Sequence, residues 1–306
     1  MLFSNLLAAT TPLHMHSLHH MHKHGLDHVV IQLPEERYEY AELEEIFAVT
    51  KTKPQAFRMP HSLGLGTHHF PLEDWKYWLT TTAPLLDQKS AGIIVHGSTV
   101  ALGDIFAYLD KRPRQFHALH DYKTQYVERF IEQLLTLQQI AHPLGISLLV
   151  ENAPMGGSYY FEPGNNAIHP ALRTPRHLLR ITEATKAKLC FHSAHARVTS
   201  HALSYMHRSR SLFGAATEKE ILNASRTWID FYEKVKEKTA LVLLSYATSW
   251  GDTPETNRIP FPASTYPELL QFAEVVHEQV PIALDLQGND LYVKQMMDTL
   301  RQLKNR

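Results

Sequence analysis

The run Ile146-Ser-Leu-Leu-Val-Glu151-Asn152-Ala-Pro154 places a carboxylate and an amide directly behind strand-compatible apolar residues. A buried parallel strand reads this way, and ligand groups in parallel α/β folds gather where such strands stop. Glu151 is therefore the first candidate for metal binding or proton transfer. The plainer reading is a carboxylate that caps the next turn, at Gly156-Gly157, or pairs with a surface arginine. Other strand-like runs end in comparable groups: Arg58 and His61, His96 and Ser98, His192 and His195, and Asp285. Imidazole with carboxylate is the donor set that ions such as Zn, Mn or Fe(II) prefer. A lone strand-end histidine is more often a hydrogen-bonded support than a ligand, so the argument rests on several converging. In Cys190-Phe-His-Ser-Ala-His195, His192 would close a strand and His195 would follow one turn later. Both rings could then face one mouth without blocking each other, one binding metal and the other meeting substrate.

Eight strand-like segments would position these groups: Leu2 to Leu7, Val29 to Leu33, Ala56 to Met59, Ala91 to Val95, the run from Ile146, Ala187 to Phe191, Ala240 to Leu244 and Pro281 to Leu284. Helical patterns fall at Pro12 to His24, Tyr38 to Val49, Trp75 to Leu86, Tyr122 to Ala141, Pro175 to Ala184, Glu218 to Lys236, Tyr266 to Gln279 and Asp290 to Leu303. Eight such pairs in about 300 residues is the count of a single (β/α)8 TIM barrel. No Pro/Gly/Ser-rich joint divides the chain, so residues 1–306 are expected to form one domain. The stretch from Arg197 to Asn223 reads as an extra surface helix, or alternatively as a lid.

The 306 residues, 44% hydrophobic, suffice for a large core. Lys plus Arg (30) nearly cancels Asp plus Glu (31), which speaks against a nucleic-acid binder held by bulk charge. The single cysteine, Cys190, excludes an intrachain disulfide and is compatible with a reducing cytoplasm, the expected location. MLFSNLLAAT lacks the basic region and apolar core of a signal peptide, and no apolar run approaches a membrane span. The partner expected is thus a small molecule; the oligomeric state is not legible. Histidine is the oddity, at 21 residues, six of them between positions 14 and 24. His16/His20 and His20/His24 have the i, i+4 spacing that could chelate a metal. The simpler expectation puts them on the solvent side of a helix whose apolar side carries Leu13, Leu18 and Met21.

Taken together, these motifs resemble the xylose-isomerase-like superfamily of TIM barrels, which includes sugar epimerases and isomerases and an endonuclease IV branch. Gly25-Leu-Asp-His-Val resembles its glycine-x-Asp approach to the second strand. Ile94-Val-His96-Gly-Ser98 resembles its His-Pro-Gly-Ser segment without the proline, and Glu151-Asn-Ala-Pro its Glu-Asn-Thr or Glu-Asn-His segment. Leu189-Cys-Phe-His192-Ser-Ala-His195 resembles Cys-Leu-Asp-Thr-x-His, and Asp285 stands where the barrel ends in a metal-binding glutamate. The resemblance implies a metal site of His96, Glu151, His192 and Asp285, with Glu151, His195 and Arg58 catalytic and Asn152, His61 and Ser98 against substrate. There are departures. His192 replaces an aspartate ligand, Arg58 holds the place of a histidine, and Leu241-Val-Leu-Leu-Ser245 lacks the ligating histidine of the seventh strand. A trinuclear zinc cluster is not expected.

The resemblance implies a metal-dependent enzyme (Zn, Mn or Fe) moving a proton on a small polyhydroxylated or carboxylated substrate, as isomerases and epimerases do. Endonuclease IV-like phosphoester hydrolysis, iron-dependent oxidation, or a catalytically retired binding barrel are the alternatives. His96 and arginines such as Arg173 and Arg176 speak for the hydrolase; the replaced ligands speak for retirement.

Overall fold

Eight parallel strands close into a ring in the computed structural model, which describes residues 1–304 except 88–90, 156–166, 211–212, 249, 252, 254 and 288–289. The Gly156-Gly157 turn lies outside the described residues. In chain order the strands are β1 (Leu7–Pro12), β2 (His28–Gln32), β3 (Lys53–Arg58), β4 (Gly92–Val95), β5 (Leu148–Glu151), β6 (Lys188–His192), β7 (Thr239–Leu244) and β8 (Ile282–Leu284), each pairing with the next and β8 with β1. The helices are α1 (Met15–Lys23), α2 (Tyr40–Thr50), α3 (Leu72–Thr82), α4 (Leu102–Asp110), α5 (Ala118–Ala141), α6 (Pro175–Thr185), α7 (Ser193–Ser209), α8 (Glu218–Leu222), α9 (Trp228–Val235), α10 (Tyr266–Val275) and α11 (Asp290–Leu303). This is a single (β/α)8 TIM barrel. None of the described helices is long and apolar enough to cross a membrane.

Alternation along the strands builds two cores. Val29, Ile31, Phe57, Val95, Val150, Phe191 and Leu244 face outward and pack under the helices. Ala8, Val30, Ala56, Ile94, Leu149, Cys190, Leu243 and Ala283 fill the interior of the ring. Helix α6 shows how the outer layer is fixed. Pro175 opens it at a position where no backbone donor is needed, and Leu178, Ile181, Thr182 and Thr185 bury one face.

β1 corrects the sequence reading. The apolar run Leu2 to Leu7 is not the strand; Phe3 instead packs edge-on against Phe272 in the outer core, 6.0 Å between ring centroids. The strand is Leu-Ala-Ala-Thr-Thr-Pro, whose small side chains suit the crowded barrel interior.

A buried ion cluster braces the segments outside the ring. Glu220 of α8 receives Lys123 of α5, and Arg173 Nη2 at 3.1 Å, while Arg173 Nη1 donates to Gly214 O at 2.7 Å. Burial and the nearby Arg173 guanidinium push the Lys123 amine down to about 7, partly offset by Glu220. Removing the carboxylate strands two cations, so Glu220→Ala should destabilise the protein by about 3–5 kcal/mol. Urea unfolding measures this, and a loss under about 1 kcal/mol would contradict it.

Candidate active site

Period-two alternation converts the interior layer into a polar ring one step further along. Two residues beyond Ala8, Val30, Ala56, Ile94, Leu149, Cys190, Leu243 and Ala283 stand Thr10, Gln32, Arg58, His96, Glu151, His192, Ser245 and Asp285. The carboxyl ends of all eight strands thus deliver one polar residue each to the same mouth.

Two buried ion pairs organise this layer. Arg58 Nη2 donates to Glu151 Oε1 at 2.6 Å, with both side chains nearly inaccessible. Arg258, from the short hairpin Tyr246–Ala247/Asn257–Ile259, pairs with Asp285 Oδ1. The Asp285 Oδ2 atom lies 2.7 Å from His192 Nε2, without the alignment of a good hydrogen bond. Burial alone would raise the Asp285 pKa, but Arg258, His192 and Arg58 outweigh it and hold the carboxyl well below its usual range. Glu151 Oε2 is buried and has no hydrogen-bond partner.

His192, which ends β6, and His195, in the first turn of α7, do not stand apart as their spacing suggested. Their rings stack face to face, 3.6 Å between centroids and 8° from parallel. His192 caps α7, its Nδ1 accepting from His195 N at 3.4 Å. Asn152 clamps the same turn: its Nδ2 donates to His192 O at 3.0 Å and its Oδ1 accepts from His192 N at 2.6 Å. Because His195 Nδ1 lies 2.8 Å from Asn152 O, that nitrogen must carry the proton, and Nε2 keeps the lone pair. Burial first, then His192 and Arg58, hold the His195 pKa well below 6.5, so the ring is neutral at pH 7.

His96 and His61 occupy another sector. His96 Nε2 is 3.2 Å from Pro60 O, and its ring centroid is 5.6 Å from that of His61. Burial and the charge of Arg58 lower both pKa values. Ser98 serves the loop: its N donates to Leu65 O at 2.8 Å, and its carbonyl is 2.7 Å from Tyr126 Oη. A Cβ at Gly97 would come within 2.6 Å of that same hydroxyl, which explains a glycine between His96 and Ser98.

Glu151, His192 and His195 are the described residues that gather as metal donors, each offering an atom within 4.8 Å of the others. Donor type, spacing and the unclaimed Glu151 oxygen fit one small divalent ion. Neither His96 nor Asp285 joins that group, the latter being held by Arg258 and His192. Arg58 and Arg258 already balance Glu151 and Asp285, so an arriving cation competes with a guanidinium for Glu151. Arg58→Met should therefore tighten Zn or Mn binding by at least about tenfold, or 1.4 kcal/mol. Thermal stabilisation by added metal measures this; a smaller metal-induced rise in the melting temperature than in wild type would refute it.

Sequence reasoning missed Arg258, Thr10 and Gln32. Arg258 comes from a hairpin with φ of 55°, not from a strand end, and nothing local in the sequence distinguishes it. Thr10 became visible only once β1 was correctly placed.

No family model and no curated protein matches the chain. Solved structures do, at full length and low identity. A D-tagatose 3-epimerase-like protein is 13% identical over 98% of both chains, with a TM-score of 0.60. An AP endonuclease, family 2, from Brucella melitensis is 12% identical over 96% of this chain and 98% of its own, at 0.59. The IOLI protein, solved with a zinc atom, is 13% identical over 98% and 95%, at 0.56. The chain therefore shares the TIM-barrel fold of these structures, one of which was solved with a zinc atom.

Proposed function

We propose that this barrel is an enzyme that moves a proton on a carbon beside an oxygenated carbon in a small polyhydroxylated or carboxylated molecule. The observation that carries the reading is Glu151: a buried carboxylate with one oxygen held by Arg58 and the other unclaimed. Such a group accepts a proton without giving up the bond that orients it. His195, neutral and with its Nε2 lone pair, is placed to accept the proton of a substrate hydroxyl and then hand that same proton back. Arg58 and Arg258 supply donors toward negative charge developing on substrate oxygen. Asn152 fixes the turn that carries both histidines. A divalent ion held by Glu151, His192 and His195 would supply Lewis acidity toward adjacent substrate oxygens, and it would then take the Glu151 Oε2 and His195 Nε2 positions otherwise open to a proton, so each donor serves either the ion or the proton.

The phosphoester-hydrolase alternative has less behind it. His96, the residue that favoured it, faces Pro60 and His61, and β7 leads to Ser245 where that branch would need a histidine.

Proton exchange in deuterated water tests the reading. Full-length protein is incubated with ketoses, aldonates and 2-keto acids, alone and with Zn, Mn or Fe(II), and carbon-bound deuterium is read by NMR. Exchange at the carbon next to the carbonyl supports it. A compound shown to bind at the mouth whose carbon-bound protons never exchange under any metal condition overturns it.

A further inference from the structure

The histidine-rich helix α1 is not used by the mouth. It leaves the carboxyl end of β1 and returns to the amino end of β2, so its last turn lies at the end of the barrel opposite the candidate site. We propose that His20 and His24 form a separate surface site for a tetragonal divalent metal ion, Cu(II) or Ni(II), with both Nε2 atoms as ligands.

The geometry is close to what chelation requires. The two Nε2 atoms lie 2.8 Å apart, their ring centroids 4.6 Å apart. Two metal–nitrogen bonds of about 2.0–2.1 Å set their nitrogens about 2.9 Å apart when cis in a square plane, and about 3.3 Å apart in a tetrahedron. The observed separation matches the square-planar case, which Cu(II) and Ni(II) favour with imidazole ligands. One ring now donates Nε2–H to the other, so binding breaks that hydrogen bond and the donor's proton leaves Nε2, for Nδ1 or for solvent. The scaffold is held in advance, because Leu18 and Met21 anchor the opposite side of α1 in the core. His16, one turn earlier, stacks on His20 at 6.4 Å between centroids and offers a third imidazole to an adjusted site.

The experiment titrates tag-free full-length protein with Cu(II) and with Ni(II), following calorimetry and, for Cu(II), the nitrogen hyperfine splitting of the EPR spectrum. The expected result includes a site with at least two nitrogen ligands that is weakened at least tenfold by either His20→Gln or His24→Gln. The same site should persist in Glu151→Gln, which separates it from the mouth. His20 and His24, the latter just past the end of α1, are both partly exposed, and melting curves confirm that the variants fold. Binding unchanged in both α1 variants, binding lost only in Glu151→Gln, or the absence of any site with two nitrogen ligands overturns the proposal.

Discussion

Glu151→Gln should lower carbon–proton exchange by about 10²–10⁴-fold while the barrel remains folded. The amide keeps an oxygen for Arg58 but cannot accept a proton at the unclaimed position. Substrate binding should fall far less than turnover, because the lost interaction belongs to the transition state. Glu151→Asp would keep the charge but withdraw it by one methylene, and an intermediate rate is expected. Exchange by Glu151→Gln within threefold of wild type would show that another group carries the proton.

Acid should unfold the protein unusually early. Burial lowers the His169 pKa to about 3, with His96 and Arg173 contributing, and the His177 pKa to about 4; His195 is held well below 6.5. In the folded state these rings stay neutral, whereas the unfolded chain takes up protons as pH falls through about 6.5. The unfolded state therefore binds more protons, and stability declines with falling pH below that point. Each ring contributes up to about 1.4 kcal/mol per pH unit, so the three together contribute roughly 4. Asp285 and Glu220, both held below the usual carboxylate range, add loss in the same direction once pH drops under about 4.5. Near-UV circular dichroism should vanish between about pH 6 and 4.5, since total stability is only about 5–15 kcal/mol. A melting temperature that is level from pH 7 to 4.5 would contradict this.

Much of the candidate site was legible because strand periodicity is a strict rule. Once Ile94, Leu149, Cys190 and Ala283 face inward, His96, Glu151, His192 and Asp285 must follow two positions later. What failed were features decided by partners distant in sequence. Leu2 to Leu7 is more apolar than the true first strand, yet only small residues fit where β1 closes the ring. The expected helix from Glu218 to Lys236 is two helices, because Thr227 caps a new start by accepting from Asp230 N. Helix α4 falls where no helical pattern is expected from the sequence. The stretch from Arg197, read as an extra surface helix or a lid, is helical as far as Ser209, but α7 starts at Ser193 and buries Ala194, Ala196, Thr199 and Ala202 rather than lying on the surface. The stacking of His192 on His195 follows from the cap at His192, which spacing alone does not fix.

That cap makes position 192 a joint between two trades. The same imidazole that borders the proposed reaction also starts the turn on which the helical coat behind the sixth strand is wound. Aspartate is among the side chains best suited to begin a helix, and it would bring negative charge to the mouth without undoing the winding. A single substitution, His192→Asp, would thus change the charge at the mouth while keeping the start of α7.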